Sequence, residues 1–68
     1  MTLGQNIKML REERGMTQQK LARKAGISQI SITSWETDKY EPSLFSAILL
    51  ADAFKITLDE LVGRTVAK

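Results

Sequence analysis

Two short helix-forming segments lie between Thr17 and Glu36, separated by about three residues that include Gly26. A connection that short turns the chain through a tight, near-perpendicular corner. The corner closes only where the two helices touch at its inside. Ala22, four residues before Gly26, brings the small side chain this needs. Ile32 and Trp35 are spaced to anchor the second segment to a core. Its opposite side then stands away from the rest of the protein.

The remaining punctuation predicts three more helices, five in all. The first runs from about Thr2 to Arg14. Thr2 with Gln5 fits a capping box, Leu3, Ile7 and Leu10 form an apolar stripe, and Gly15 stops the helix. Thr17 and Ser28 are N-cap residues for the corner helices, which run to about Lys24 and Thr37, with Ile27 placed as a hydrophobic staple. After a polar loop, Asp38 to Pro42, Ser43 caps a fourth helix that reaches Phe54. Thr57 and Glu60 form a second capping box for a fifth helix to about Val62, stopped by Gly63. No stretch alternates as a strand does, and there is no repeat or low-complexity tract. The expectation is one all-α domain over residues 1–68, ordered over about 2–63, with a short C-terminal tail.

Composition narrows the chemistry. The 68 residues include no cysteine and no histidine, so disulfides, thiolate metal sites and the commonest general base are absent. There is no phosphate-cradling glycine loop and no carboxylate cluster. The reading is a protein that is not an enzyme and that takes no metal and no cofactor. The longest apolar run, Leu44 to Phe54, has 11 residues, whereas a membrane span needs about 20. The N-terminus shows no charged lead followed by an apolar stretch, so a cytoplasmic protein is expected. A domain this small buries only about 60% of its unfolded surface, and a partner would add to its thin core.

Net charge is +2, but it is unevenly placed. Residues 1–35 carry six bases against two acids, and residues 36–68 carry four bases against six acids. The basic half is suited to a polyanion. The outer side of the second corner helix offers Gln29, Ile30, Thr33 and Ser34, short or amide-bearing groups in place of a crowd of Lys and Glu. That set suits base reading. A Gln amide pairs with adenine through two bonds, Ser and Thr contact several base edges, and an apolar group meets the thymine methyl.

The stretch Thr17 to Glu36, TQQKLARKAGISQISITSWE, resembles the helix-turn-helix of the lambda-repressor-like family, the Cro/repressor or XRE type. The resemblance extends to the leading LREERGMTQQKLA, the WETDKYEPS loop and the closing ITLDELVG, and so covers nearly the whole chain. It implies a five-helix lambda-repressor-like fold with the helix-turn-helix formed by the second and third helices. It implies base reading in the major groove by Gln29, Ile30, Thr33 and Ser34. Backbone contacts to DNA are implied for Thr17, Gln18, Ser28 and Lys39, and a buried structural ion pair for Arg11 and Glu36. Two departures stand out. Asp38 occupies a position where the family usually has glycine, and with Glu41 it adds negative charge beside the expected phosphate track. Ser34 is short where the family often has Arg or Gln.

The fourth helix, SLFSAILLADAF, is apolar nearly all round. One stripe, Leu44, Ala47, Leu50, Ala51 and Phe54, is expected to face the core together with Ile56, Leu58 and Leu61. Phe45, Ile48 and Leu49 are left on another side, where the resembling family is more often polar. A helix apolar all round is normally buried all round, so these three residues are expected at a homodimer interface. Two-fold symmetry would set the recognition helices about 34 Å apart on a palindromic operator. The functional expectation is a small transcriptional regulator, a repressor by occupancy, that binds a specific double-stranded DNA. The alternative is a protein-interaction module of the antitoxin type that reuses the fold. Steep salt dependence of DNA binding, with discrimination between sequences, separates the two.

Overall fold

The computed structural model describes residues 1–63, and the expected C-terminal tail lies outside them. Five helices follow in order: α1 (Leu3–Glu13), α2 (Gln18–Ala25), α3 (Gln29–Glu36), α4 (Leu44–Phe54) and α5 (Leu58–Leu61). There is no strand among the described residues. Each helix starts directly after a hydroxyl residue. The side chains of Thr2, Thr17, Ser28, Ser43 and Thr57 each accept a hydrogen bond from the backbone N–H three residues on. These caps satisfy donors that the first turn leaves without a partner. Gln5 and Glu60 reach back to the N–H of Thr2 and Thr57, closing both capping boxes.

Packing forms a closed circuit. α3 packs on α1 and α2, α4 on α2 and α5, and α5 on α1. Every helix puts one fully buried side chain at the centre: Ile7, Leu21, Ile32, Leu50 and Leu61. Each such burial contributes about 1.5–3 kcal/mol against solvent exposure. Met16, Ala53 and Asn6 are also buried. The Asn6 amide donates to the Leu61 carbonyl at 3.4 Å and ties α1 to the end of α5.

The α1–α3 crossing depends on Gly4. A Cβ there would overlap the Trp35 carbonyl oxygen and crowd the Asp38 carboxylate. Glycine is the residue that lets two backbones approach this closely.

Two residues assigned to the core stripe lie elsewhere. Leu44 is 71% exposed and Leu58 is 37% exposed. Both are the first residue of their helix, and burial on α4 and α5 begins only three residues further in, at Ala47 and Leu61. Ala47, Leu50, Ala51 and Phe54 are buried as the stripe requires, and Ile56 is partly buried against the same core.

Candidate nucleic-acid interface

The α2–α3 corner consists of Gly26, Ile27 and Ser28. Gly26 sits at φ 71 and ψ 35, a left-handed conformation that side-chain-bearing residues seldom adopt. The N–H groups of Gly26 and Ile27 both bond to the Ala22 carbonyl, closing the end of α2. Ile27 packs against the core. The Ser28 hydroxyl accepts from the Ser31 N–H at 3.2 Å and donates to the Ser31 hydroxyl at 3.0 Å. Its side chain is thus committed to starting α3.

From this corner α3 buries Ile32, Trp35 and Glu36 and turns its other side outward. Gln29, Ile30 and Thr33 are exposed, Ile30 at 80%, while Ser34 is half-buried. With Thr37 and Lys39 these four line one open groove of about 340 Å³. The loop after α3 folds back on that helix, because the N–H groups of Lys39 and Tyr40 both bond to the Ser34 carbonyl. Lys39 therefore joins the α3 side chains on one surface, its ammonium 5.8 Å over the Tyr40 ring. Lys20, Arg23 and Lys24 are exposed on α2.

Arg11 and Glu36 form a two-pronged ion pair, Nε to Oε2 at 2.7 Å and Nη2 to Oε1 at 3.0 Å. Their side chains are 11% and 3% exposed. Donating hydrogen bonds to Glu36 raises the Arg11 pKa above its ordinary value, against the opposing effect of burial. Arg11 also donates through Nη1 to the Met16 carbonyl at 2.7 Å. The pair joins α1, the turn before α2, and the end of α3.

Gln18 extends this chain outward. Its Nε2 donates to Glu36 Oε1 at 3.1 Å, and its Oε1 accepts from the Thr33 hydroxyl at 2.8 Å. The first residue of α2 is thus locked to the middle of α3. No periodicity in the sequence signals this link, because it depends on how two helices register across the corner.

The Asp38 backbone has φ 62, the left-handed region where the resembling family uses glycine. Its carboxylate accepts from the Thr2 hydroxyl at 3.1 Å. That holds the negative charge at the start of α1, where the helix dipole favours it. Arg14 is likewise occupied. It lies 5.2 Å over the Phe54 ring and donates to the Phe54 carbonyl at 3.3 Å. On α4, Phe45 is 69% and Ile48 38% exposed, Leu44 stands beside them in sequence, and Leu49 is half-buried. Among the described residues no group of carboxylates, histidines or cysteines could hold a metal. No helix there is long and apolar enough to cross a membrane.

The helix-turn-helix family model matches residues 7–61. The immunity repressor protein of Bacillus phage phi105 is 43% identical over 63 residues, covering 93% of this chain and 44% of the repressor. The chain spans half or less of the length of that protein and of two further regulators it matches. The crystal structure of the P22 c2 repressor protein in complex with a synthetic operator superposes with a TM-score of 0.86 at 25% identity, covering 96% of this chain and 98% of that one. The restriction-modification controller protein C.AhdI from Aeromonas hydrophila gives a TM-score of 0.83 at 30% identity, covering 87% and 89%. The match in sequence extends from α1 to α5, and the match in fold includes the corner itself. The chain belongs to the helix-turn-helix family, in its XRE-type, lambda-repressor-like branch.

Proposed function

We propose that this chain binds double-stranded DNA sequence-specifically as part of a transcriptional regulator, a repressor, with α3 in the major groove. One observation carries the reading: α3 is anchored on one side by Ile32, Trp35 and Glu36, while Gln29, Ile30 and Thr33 are exposed on the other. A rigid helix with an exposed, weakly charged face is what base recognition needs. A relative named as an immunity repressor and a neighbour crystallised on an operator support it.

In this reading Gln29, Ile30, Thr33 and Ser34 meet base edges, Ser34 least because it is half-buried. Gln18, the Thr17 hydroxyl and the start of α2 face a phosphate, where unpaired N–H groups favour an anion. Lys39 grips a second phosphate, and the capping hydroxyl of Ser28 keeps the end of α3 in position beside the backbone. Arg11 and Glu36 fix the angle of α3. Two copies pair through exposed Leu44, Phe45 and Ile48 with half-buried Leu49 beside them, an apolar surface on a helix whose opposite side is buried. Such a dimer reads a palindrome with half-sites about one turn of DNA apart.

Selection from a randomised duplex pool, with wild type and Gln29→Ala, tests the reading. Specificity should relax at one position of each half-site, at a cost of about 1–3 kcal/mol. An unchanged selected motif removes Gln29 from the base-reading set, and no selected motif at all removes the function. Sedimentation that finds only monomer at high micromolar concentration removes the dimer.

A further inference from the structure

We infer that Thr33 reads DNA through its methyl group, as a thymine-methyl contact beside Ile30, and that Gln18 is the positioning residue that imposes this. The inference rests on the proposed base-reading role of α3 and specifies how one residue performs it. It starts from Glu36. An ionised carboxylate has no proton to give, so every bond it makes is accepted. Gln18 must therefore present its Nε2 to Glu36, at 3.1 Å. Once that nitrogen is fixed, the other end of the amide is its oxygen, which faces Thr33 and can only accept. The Thr33 hydroxyl must then donate to Gln18, at 2.8 Å. It also leans on the Gln29 carbonyl one turn back, at 3.1 Å.

A hydroxyl has one proton, and here two acceptor oxygens from the protein itself share it. None is left for a base acceptor such as guanine O6 or thymine O4. Thr33 is nevertheless exposed and lines the groove next to Ile30, three residues before it on the same side of α3. The hydroxyl oxygen keeps lone pairs for an adenine or cytosine amino group, but it is turned back toward α2 and the preceding turn. The methyl is the branch left to face a ligand. Together with the 80% exposed Ile30 it makes an apolar notch between the polar ends Gln29 and Lys39. Among base edges in the major groove, the 5-methyl of thymine is the apolar feature such a notch fits.

The test uses the full chain and the duplex it selects. Each thymine of the half-site is replaced in turn by deoxyuridine, which deletes only the methyl. Binding is measured for wild type, Thr33→Val and Thr33→Ser. Valine keeps the methyl and loses the hydroxyl, and serine does the reverse. At one thymine facing position 33, wild type and Thr33→Val should each lose about fourfold in affinity on loss of the methyl, the size of one buried methyl group. Thr33→Ser should show no such loss there. A second readout is selection with Gln18→Ala, which leaves the Gln29 carbonyl as the one acceptor in the protein for the hydroxyl proton and should broaden the base chosen at that position. If Thr33→Val loses discrimination while Thr33→Ser keeps it, the hydroxyl reads the base and this inference is overturned, though α3 remains the reading helix. If wild type is indifferent to every deoxyuridine, it is overturned as well. If no duplex is selected at all, the base-reading role falls and takes this inference with it.

Discussion

Replacing Glu36 with alanine tests how α3 is held at its angle. The carboxylate accepts from Arg11 Nε at 2.7 Å, Arg11 Nη2 at 3.0 Å and Gln18 Nε2 at 3.1 Å. Alanine removes all of these at once. The Arg11 guanidinium, on a side chain only 11% exposed, is left with the Met16 carbonyl. Breaking a buried pair from one side costs about 3–5 kcal/mol, mainly because a charge stays buried without its partner. Arg11 keeps one acceptor and some access to water, so the lower end, about 3 kcal/mol, is expected. The whole stability of a domain this size is roughly 3–10 kcal/mol. At roughly 4–8 °C per kcal/mol, the midpoint should drop by roughly 12–24 °C.

Urea denaturation reads the loss through the fluorescence of Trp35, the one tryptophan in the chain, buried beside Glu36. Arg11→Met completes a cycle with Glu36→Leu. Removing both charges together should recover most of the loss, giving a coupling of about 2 kcal/mol or more between the sites. A Glu36→Ala loss below about 1 kcal/mol, the range of an exposed pair, would refute the reasoning. So would single losses that simply add.

Gly4→Ala should destabilise the protein by about 2 kcal/mol, the range of an overpacked core, although alanine is the better helix former by about 1 kcal/mol. The new Cβ meets the Trp35 carbonyl, so α1 must shift from α3, and a gain in stability by calorimetry would contradict that crossing. Lys39→Gln should weaken DNA binding about equally for all sequences and lower the slope of log affinity against log salt by about 1. A changed base preference with an unchanged slope would place Lys39 on a base instead of a phosphate.

The fold was legible where its signals are local. A cap hydroxyl and the amide three residues on belong to one turn, so all five helix starts could be read directly from Thr2, Thr17, Ser28, Ser43 and Thr57. Gly26 announced the corner for the same reason. Leu44 was misplaced because periodicity gives the direction a side chain points, not how far the neighbouring helices extend. It lies on the stripe of Ala47 and Ala51, yet as the first residue of α4 it is 71% exposed. Gly4 looked like an ordinary helix residue, since its cause is a carbonyl 31 positions away in the chain. The outer face of α3 was readable from composition. That Thr33 spends its proton inside the protein was not, because the bond to Gln18 exists only once α2 and α3 have docked.

That bond also separates two roles usually merged in a buried ion pair. The charges of Arg11 and Glu36 carry energy, but the accept-only character of Glu36 carries direction, which passes through the Gln18 amide to Thr33. A well-packed apolar pair at positions 11 and 36 can replace the energy. It cannot replace the direction, because Gln18 is then free to turn its nitrogen toward Thr33 and leave the hydroxyl proton to the Gln29 carbonyl alone. The Arg11→Met/Glu36→Leu variant should thus regain stability to within about 1 kcal/mol of wild type and still choose a wider set of bases opposite position 33. Regained stability together with an unchanged selected base would mean that the carboxylate holds α3 in place and has no say in what Thr33 reads.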